Sequence, residues 1–264
     1  HNCFEDEILN EISANIKFEG SNVDGAFNEK AFATISVSDV EECFERLYKK
    51  CPISIVASGA VNIADLTGAL RSTTFTMEPR KPAFRDHRVA DQLPKEINIE
   101  SKYVGRAARY FYKVPKEDIA LANAFFEVLS YELFNYLEKA NPMILDFGNF
   151  NALSNGDCVR QIVLYPKSDV ALVDLQKAYE VFIDRICSQI ISTGALSKVK
   201  TFKKYAERFI AEDLYAVYLK IKNDRLNGVD REIDLNDPKQ FSSVGEKLKK
   251  NLIIKIVSRY KPDK

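Results

Sequence analysis

The stretch from Lys116 to Lys139 constrains this chain more than any other. Leu121, Ala124, Phe125, Val128, Leu129, Leu133 and Tyr136 recur at spacings of three and four, and Glu132 is the polar exception in the series. That spacing lays one broad apolar stripe along a long helix. Asn141-Pro142 stops it, because the residue before a proline is pushed out of the helical region.

A helix this apolar needs a sheet to lie on, and strand-like runs stand on both sides of it. Glu96–Lys102 and Arg106–Val114 read as neighbouring strands about Gly105. In the second, Ala107, Arg109, Phe111 and Lys113 share one face and Ala108, Tyr110, Tyr112 and Val114 the other, so both faces should be covered. Met143–Phe150 and Cys158–Tyr165, joined by Ser154-Asn155-Gly156-Asp157, read as a hairpin. Ser168 and Asp169 open a helix that runs through Val173, Ala178, Phe182 and Ile186 to Thr193, with Gly194 as its cap. Another helix spans Ser197 to about Asn227. The tail, Asp237 to Lys261, reads as helix, although its apolar run Leu252–Val257 leaves a strand open. The fold class is α+β, an antiparallel or mixed sheet with helices packed on one face.

Upstream, a helix over Asp6–Ile16 leads to a polar loop, Glu19–Gly25. Ser38 and Glu41 have capping-box spacing and open a helix to about Lys50. Pro52–Ala57 is β-rich and ends at Gly59, and Asn62 with Asp65 then starts a helix to about Phe75. Between Met77 and Leu93 the chain turns charged and proline-bearing, as a linker does. A chain of 264 residues is long enough for two cores. The organisation expected is residues 1–78, a linker over 79–94, and residues 95–264.

Charge and composition narrow the function. Thirty-eight basic residues balance thirty-eight acidic ones with no long like-charged run, which argues against nucleic acid. No apolar stretch nears the roughly 18 residues a bilayer span needs, so membrane insertion is not expected. Five cysteines form no C-x-x-C pair; buried free thiols and a reducing compartment are expected. With two histidines, His1 and His87, no paired-histidine zinc site or Ser–His–Asp set can be assembled. No phosphate-cradling glycine motif is present, and Gly20, Gly25 and Gly59 stand alone as turn residues. Lys198, Lys200, Lys203, Lys204 and Arg208 are interleaved with Phe202, Tyr205 and Phe209 at the spacing of a buried stripe rather than of a stacking platform. No catalytic residue, metal ligand or cofactor is assigned to this chain.

The order of segments nevertheless resembles a known family. Ala33-Thr34-Ile35-Ser36-Val37-Ser38-Asp39-Val40, then Ile53–Gly59, then Asp65-Leu66 to Phe75 follow the close of a first half-domain in insulinase/pitrilysin-type (inverzincin) metallopeptidases, of the mitochondrial-processing-peptidase kind. Tyr112-Lys113-Val114-Pro115 and Leu133-Phe134-Asn135-Tyr136-Leu137-Glu138-Lys139 match that family's second half-domain. The resemblance implies that the zinc and its ligands belong to a missing N-terminal half. It also implies that Glu138 and Leu145 stand where active members carry an arginine and a tyrosine beside the substrate, supplying neither a cation nor a phenol donor. The implied role is one wall of a clamshell holding an extended peptide, in a peptidase or an inactive homologue. The implied partner is the missing N-terminal half or a homologous subunit, against which Ile53, Ile55 and Val56 would pair as a strand. A non-catalytic scaffold or core subunit of a protein complex is the alternative.

Overall fold

A computed structural model describes residues 6–17, 19, 32–49, 57, 60–72, 88–155, 157–188, 194, 196–201, 204–205, 213, 215, 217 and 239–262. Outside these lie His1, His87, the strand expected at Ile53–Val56, most of the Met77–Leu93 linker and much of the Ser197–Asn227 helix. The chain forms two compact units, one from residues 1–25, 86–205 and 229–264, the other from residues 26–85 and 206–228.

In the smaller unit, α2 (Val37–Phe44) passes into a π-helical turn, Glu45–Lys49, and α3 follows at Ile63–Arg71. The capping box of α2 differs from the expected frame. Ser36, not Ser38, is the N-cap; its Oγ accepts from Asp39 N at 3.2 Å, and Ser36 N donates to Asp39 Oδ2 at 2.8 Å. The sequence Ser-Val-Ser-Asp offers two overlapping frames, and the shorter aspartate closes the reciprocal pair first. The Ser36 hydroxyl, which donates to Asp39 Oδ2 at 2.6 Å, and then the Ser36 N–H hold the Asp39 carboxyl below its ordinary value. Asn62 caps α3 as expected, accepting from Ala64 N at 2.9 Å.

The larger unit is built on a five-stranded sheet of order β1-β5-β2-β4-β3, with β1 at Lys95–Ser101, β2 at Ala107–Val114, β3 at Ile144–Asn155, β4 at Asp157–Pro166 and β5 at Leu252–Tyr260. The β3–β4 hairpin is antiparallel, as its turn chemistry requires. Two expectations change. The tail splits into α6 (Lys239–Lys250), whose Phe241, Val244 and Leu248 keep helical spacing, and the strand β5. That strand enters between β1 and β2, parallel to the first and antiparallel to the second, so β1 and β2 are not neighbours. A central position explains its continuous apolar run, since both of its faces are covered.

On one face, α4 (Ile119–Phe134), α5 (Leu172–Ser188) and α6 pack against Ala108, Tyr110, Tyr112, Ile162 and Leu164. Of the apolar stripe read from the sequence, Ala124, Phe125, Val128, Leu129 and Leu133 are buried, and Phe126 beside it is buried too. Glycine matters at one contact: a Cβ on Gly245 of α6 would lie 2.9 Å from Cys187 Cα on α5, so only glycine permits this approach. The opposite face, Phe111, Val159, Ile254 and Ile256, is covered by α1 (Asp6–Asn15) through Ile8 and Ile12, with Ile16, Val89 and Val104. The helices of the fold class therefore mass on one face, and α1 is added on the other.

The exit of α4 is unusual. Asn135–Ala140 is π-helical, and Met143 N donates to Leu137 O at 2.9 Å as the chain turns into β3. Phe134-x-x-Leu137-x-Lys139-x-x-Pro142 has the same pattern as Phe44-x-x-Leu47-x-Lys49-x-x-Pro52, and both pass through a π-helical turn.

Candidate functional site

The two positions singled out by resemblance fall on adjoining segments. Glu138 is half-buried in the π-helical exit of α4, a distortion that is rare and often met at functional sites. Leu145 lies on β3, one of the two terminal strands of the described sheet, and is 68% exposed. They offer a carboxyl group and an isobutyl group, so neither can place a cation or a phenol against a bound chain.

Elsewhere in the larger unit, polar groups tie neighbouring elements together. Tyr112 and Tyr179 share a hydrogen bond of 3.1 Å between their hydroxyls, and burial raises both phenols well above their ordinary range. Tyr110, its ring tilted against that of Tyr179 at 4.2 Å between centroids, is likewise raised by burial. Burial pushes the Cys158 thiol up to about 11 and the Cys187 thiol up to about 12, the reverse of an activated nucleophile. Lys255 is held between Glu180 at 2.9 Å and Glu96 at 3.4 Å. Arg160 stands over the Phe126 ring at 5.1 Å, and Arg185 over Tyr136 at 5.2 Å. Among the described residues no group of three or more His, Cys, Asp or Glu is placed to hold a metal, and no helix is long and apolar enough to cross a membrane.

Sequence reasoning missed one buried, doubly bonded carboxylate. Asp157 was read as a turn residue, yet it is 6% exposed and accepts from Val89 N at 2.9 Å and from Lys116 N at 3.1 Å. One signal was available: it sits where alternation along β4 places it with Val159, on a covered face.

No protein-family model matches this chain, and no curated protein does. Solved structures do. A protease from Helicobacter pylori superposes with a TM-score of 0.67 at 12% identity, over 87% of this chain and 60% of that one. The first half of the periplasmic protease PqqL from Escherichia coli gives 0.64 at 11% identity, over 87% and 56%. A putative M16-like peptidase from Alicyclobacillus acidocaldarius gives 0.62 at 9% identity, over 97% and 67%. The fold is thus shared with these three structures, a putative M16-like peptidase and the first half of PqqL among them. The chain spans about 60% of the length of the Helicobacter structure.

Proposed function

We propose that this chain is the C-terminal, non-zinc-binding portion of an insulinase-type peptidase or of its inactive homologue, forming one wall of a clamshell that holds an extended peptide. The observation that carries the reading is the fold shared, over most of this chain, with the first half of PqqL and with a putative M16-like peptidase. The repeated helical exit, Phe44 to Pro52 and Phe134 to Pro142, supports two related half-domains on either side of the linker. On this reading the zinc belongs to the missing N-terminal half, and that half or a homologous subunit is the partner. Glu138 and Leu145 then line the wall without assisting the reaction, so catalysis by the assembled protein is weak or absent.

The test is to produce the polypeptide together with its upstream reading frame and measure both binding of a fluorescein-labelled extended peptide and its cleavage. Binding is expected to need both halves, and Glu138→Arg with Leu145→Tyr is expected to raise cleavage where the zinc motif is intact. An upstream frame without an H-x-x-E-H helix, with no peptide bound, would overturn the reading in favour of a scaffold subunit.

A further inference from the structure

The second face of the sheet is closed by pieces far apart in sequence, and a chain of polar contacts that ends on one buried carboxylate joins them. The segment Arg88–Gln92 runs as a strap beside the end of α1. Glu19 N donates to Arg88 O and Ala90 N to Lys17 O, each at 2.8 Å. Gln92 Nε2 donates to Asn15 O at 3.1 Å, satisfying a carbonyl of the last turn of α1. These contacts join strap and helix to each other. The strap is joined to the sheet by Val89, whose side chain is fully buried beside Phe111, Val159, Ile254 and Ile256, and whose N–H donates to Asp157 Oδ2 at 2.9 Å.

Asp157 is well placed to bear this. Its other oxygen, Oδ1, accepts from Lys116 N at 3.1 Å, just past the end of β2. Lys113 Nζ lies 3.9 Å from Oδ2 and bonds Asp91 of the strap at 2.9 Å, so one lysine links the carboxylate to the strap a second time. A hydrogen bond from a backbone amide to a buried carboxylate is among the stronger kinds, and removing the acceptor leaves a buried N–H with nothing to meet.

We propose that Asp157 is the lock of this strap: it fixes Arg88–Gln92 on the sheet and, through the strap, α1, so that the apolar second face of β2 and β5 opens and closes as one unit under that carboxylate. The device does not depend on which protein completes the assembly. Native-state hydrogen exchange on the whole chain tests it, comparing the wild type with Asp157→Asn, which keeps the size but replaces an acceptor by a donor, and with Lys113→Met. Exchange at the amides of Val89, Ala90, Glu19 and Ile16 is expected to quicken together by roughly tenfold or more in Asp157→Asn, and by less in Lys113→Met, while Tyr110 and Ile162 keep their wild-type rates. Unchanged rates at Val89, Ala90 and Glu19 would overturn the proposal, and so would acceleration of equal size at Tyr110 and Ile162. Should Asp157→Asn fail to fold, Lys113→Met is read by the same two criteria.

Discussion

The two faces of the sheet are closed in different ways. On the first, α4, α5 and α6 bring Phe125, Phe126, Leu129, Tyr179, Phe182 and Phe241 down onto β2 and β4, and the Tyr112–Tyr179 hydrogen bond and the Lys255–Glu180 pair are added to a contact that is mainly apolar. On the second, α1 contributes Ile8 and Ile12, with Ile16 just past its end, and is held by main-chain stitches and by Asp157. Area removed from water scales with apolar bulk, so the first face should supply most of the global stability and the second a separable, local part. A sheet of this kind can thus keep one face as foundation and leave the other adjustable.

The largest effect should come from breaking the first face. Leu129→Ala or Phe126→Ala is expected to cost about 3–5 kcal/mol, seen as a lower midpoint in urea with a single transition, since both side chains are wholly buried and leave a cavity. Ile12→Ala on the second face should cost less in global unfolding, about 1–3 kcal/mol, and show itself first as faster exchange at Ile16 and Ala90. Gly245→Ala tests close packing within the first face. Its Cβ meets backbone at Cys187, so a loss of about 1–3 kcal/mol is expected in the same denaturant experiment, and no loss would mean the α5–α6 contact is looser than described.

A smaller effect concerns pH. The Cys158 and Cys187 thiols are raised to about 11 and about 12 by burial, so the folded state holds their protons more tightly than the unfolded chain does. That stability is fully present below the unfolded thiol value of about 8.5 and is lost as pH rises from there towards the folded values. Iodoacetamide at about pH 8.5 should therefore label these cysteines only at the rate of opening, and rapid labelling of the native protein would contradict their burial. The smallest effect lies at Asp39, whose lowered value means that its help to α2 is present above the unfolded aspartate value and fades as pH falls through the folded one. A proton-detected titration of Asp39 in the wild type and in Ser36→Ala should show the value moving back up.

What was legible in the sequence follows from short-range physics. The stripe of α4, the alternation along β2 that buries Phe111 on one side and Tyr112 on the other, the Asn62 cap and the hairpin through Asp157 are each set by neighbours within a few residues. The insertion of β5 between β1 and β2 was not legible, because Arg109 meets Ile256 only through the closure of a very long loop. The covering of the second face by α1 was hidden in the same way. The period of Ile8, Ile12 and Ile16 shows an apolar side but not what it lies on. Asp157 escaped notice because a buried aspartate and a turn aspartate look alike until the amides of Val89 and Lys116 are placed beside it. For Glu138 and Leu145 the structure supplies position, a half-buried π-helical turn and a sheet-edge strand, while their role as wall residues stays with the proposal above.

The most direct test of that proposal is the metal content of the 264-residue chain after loading with zinc and exhaustive dialysis, read beside hydrolysis of a fluorogenic peptide. A wall portion without zinc ligands should retain far less than one zinc per chain and leave the peptide intact. One tightly held zinc per chain, with peptide cleavage that is abolished by a chelator, would contradict the account.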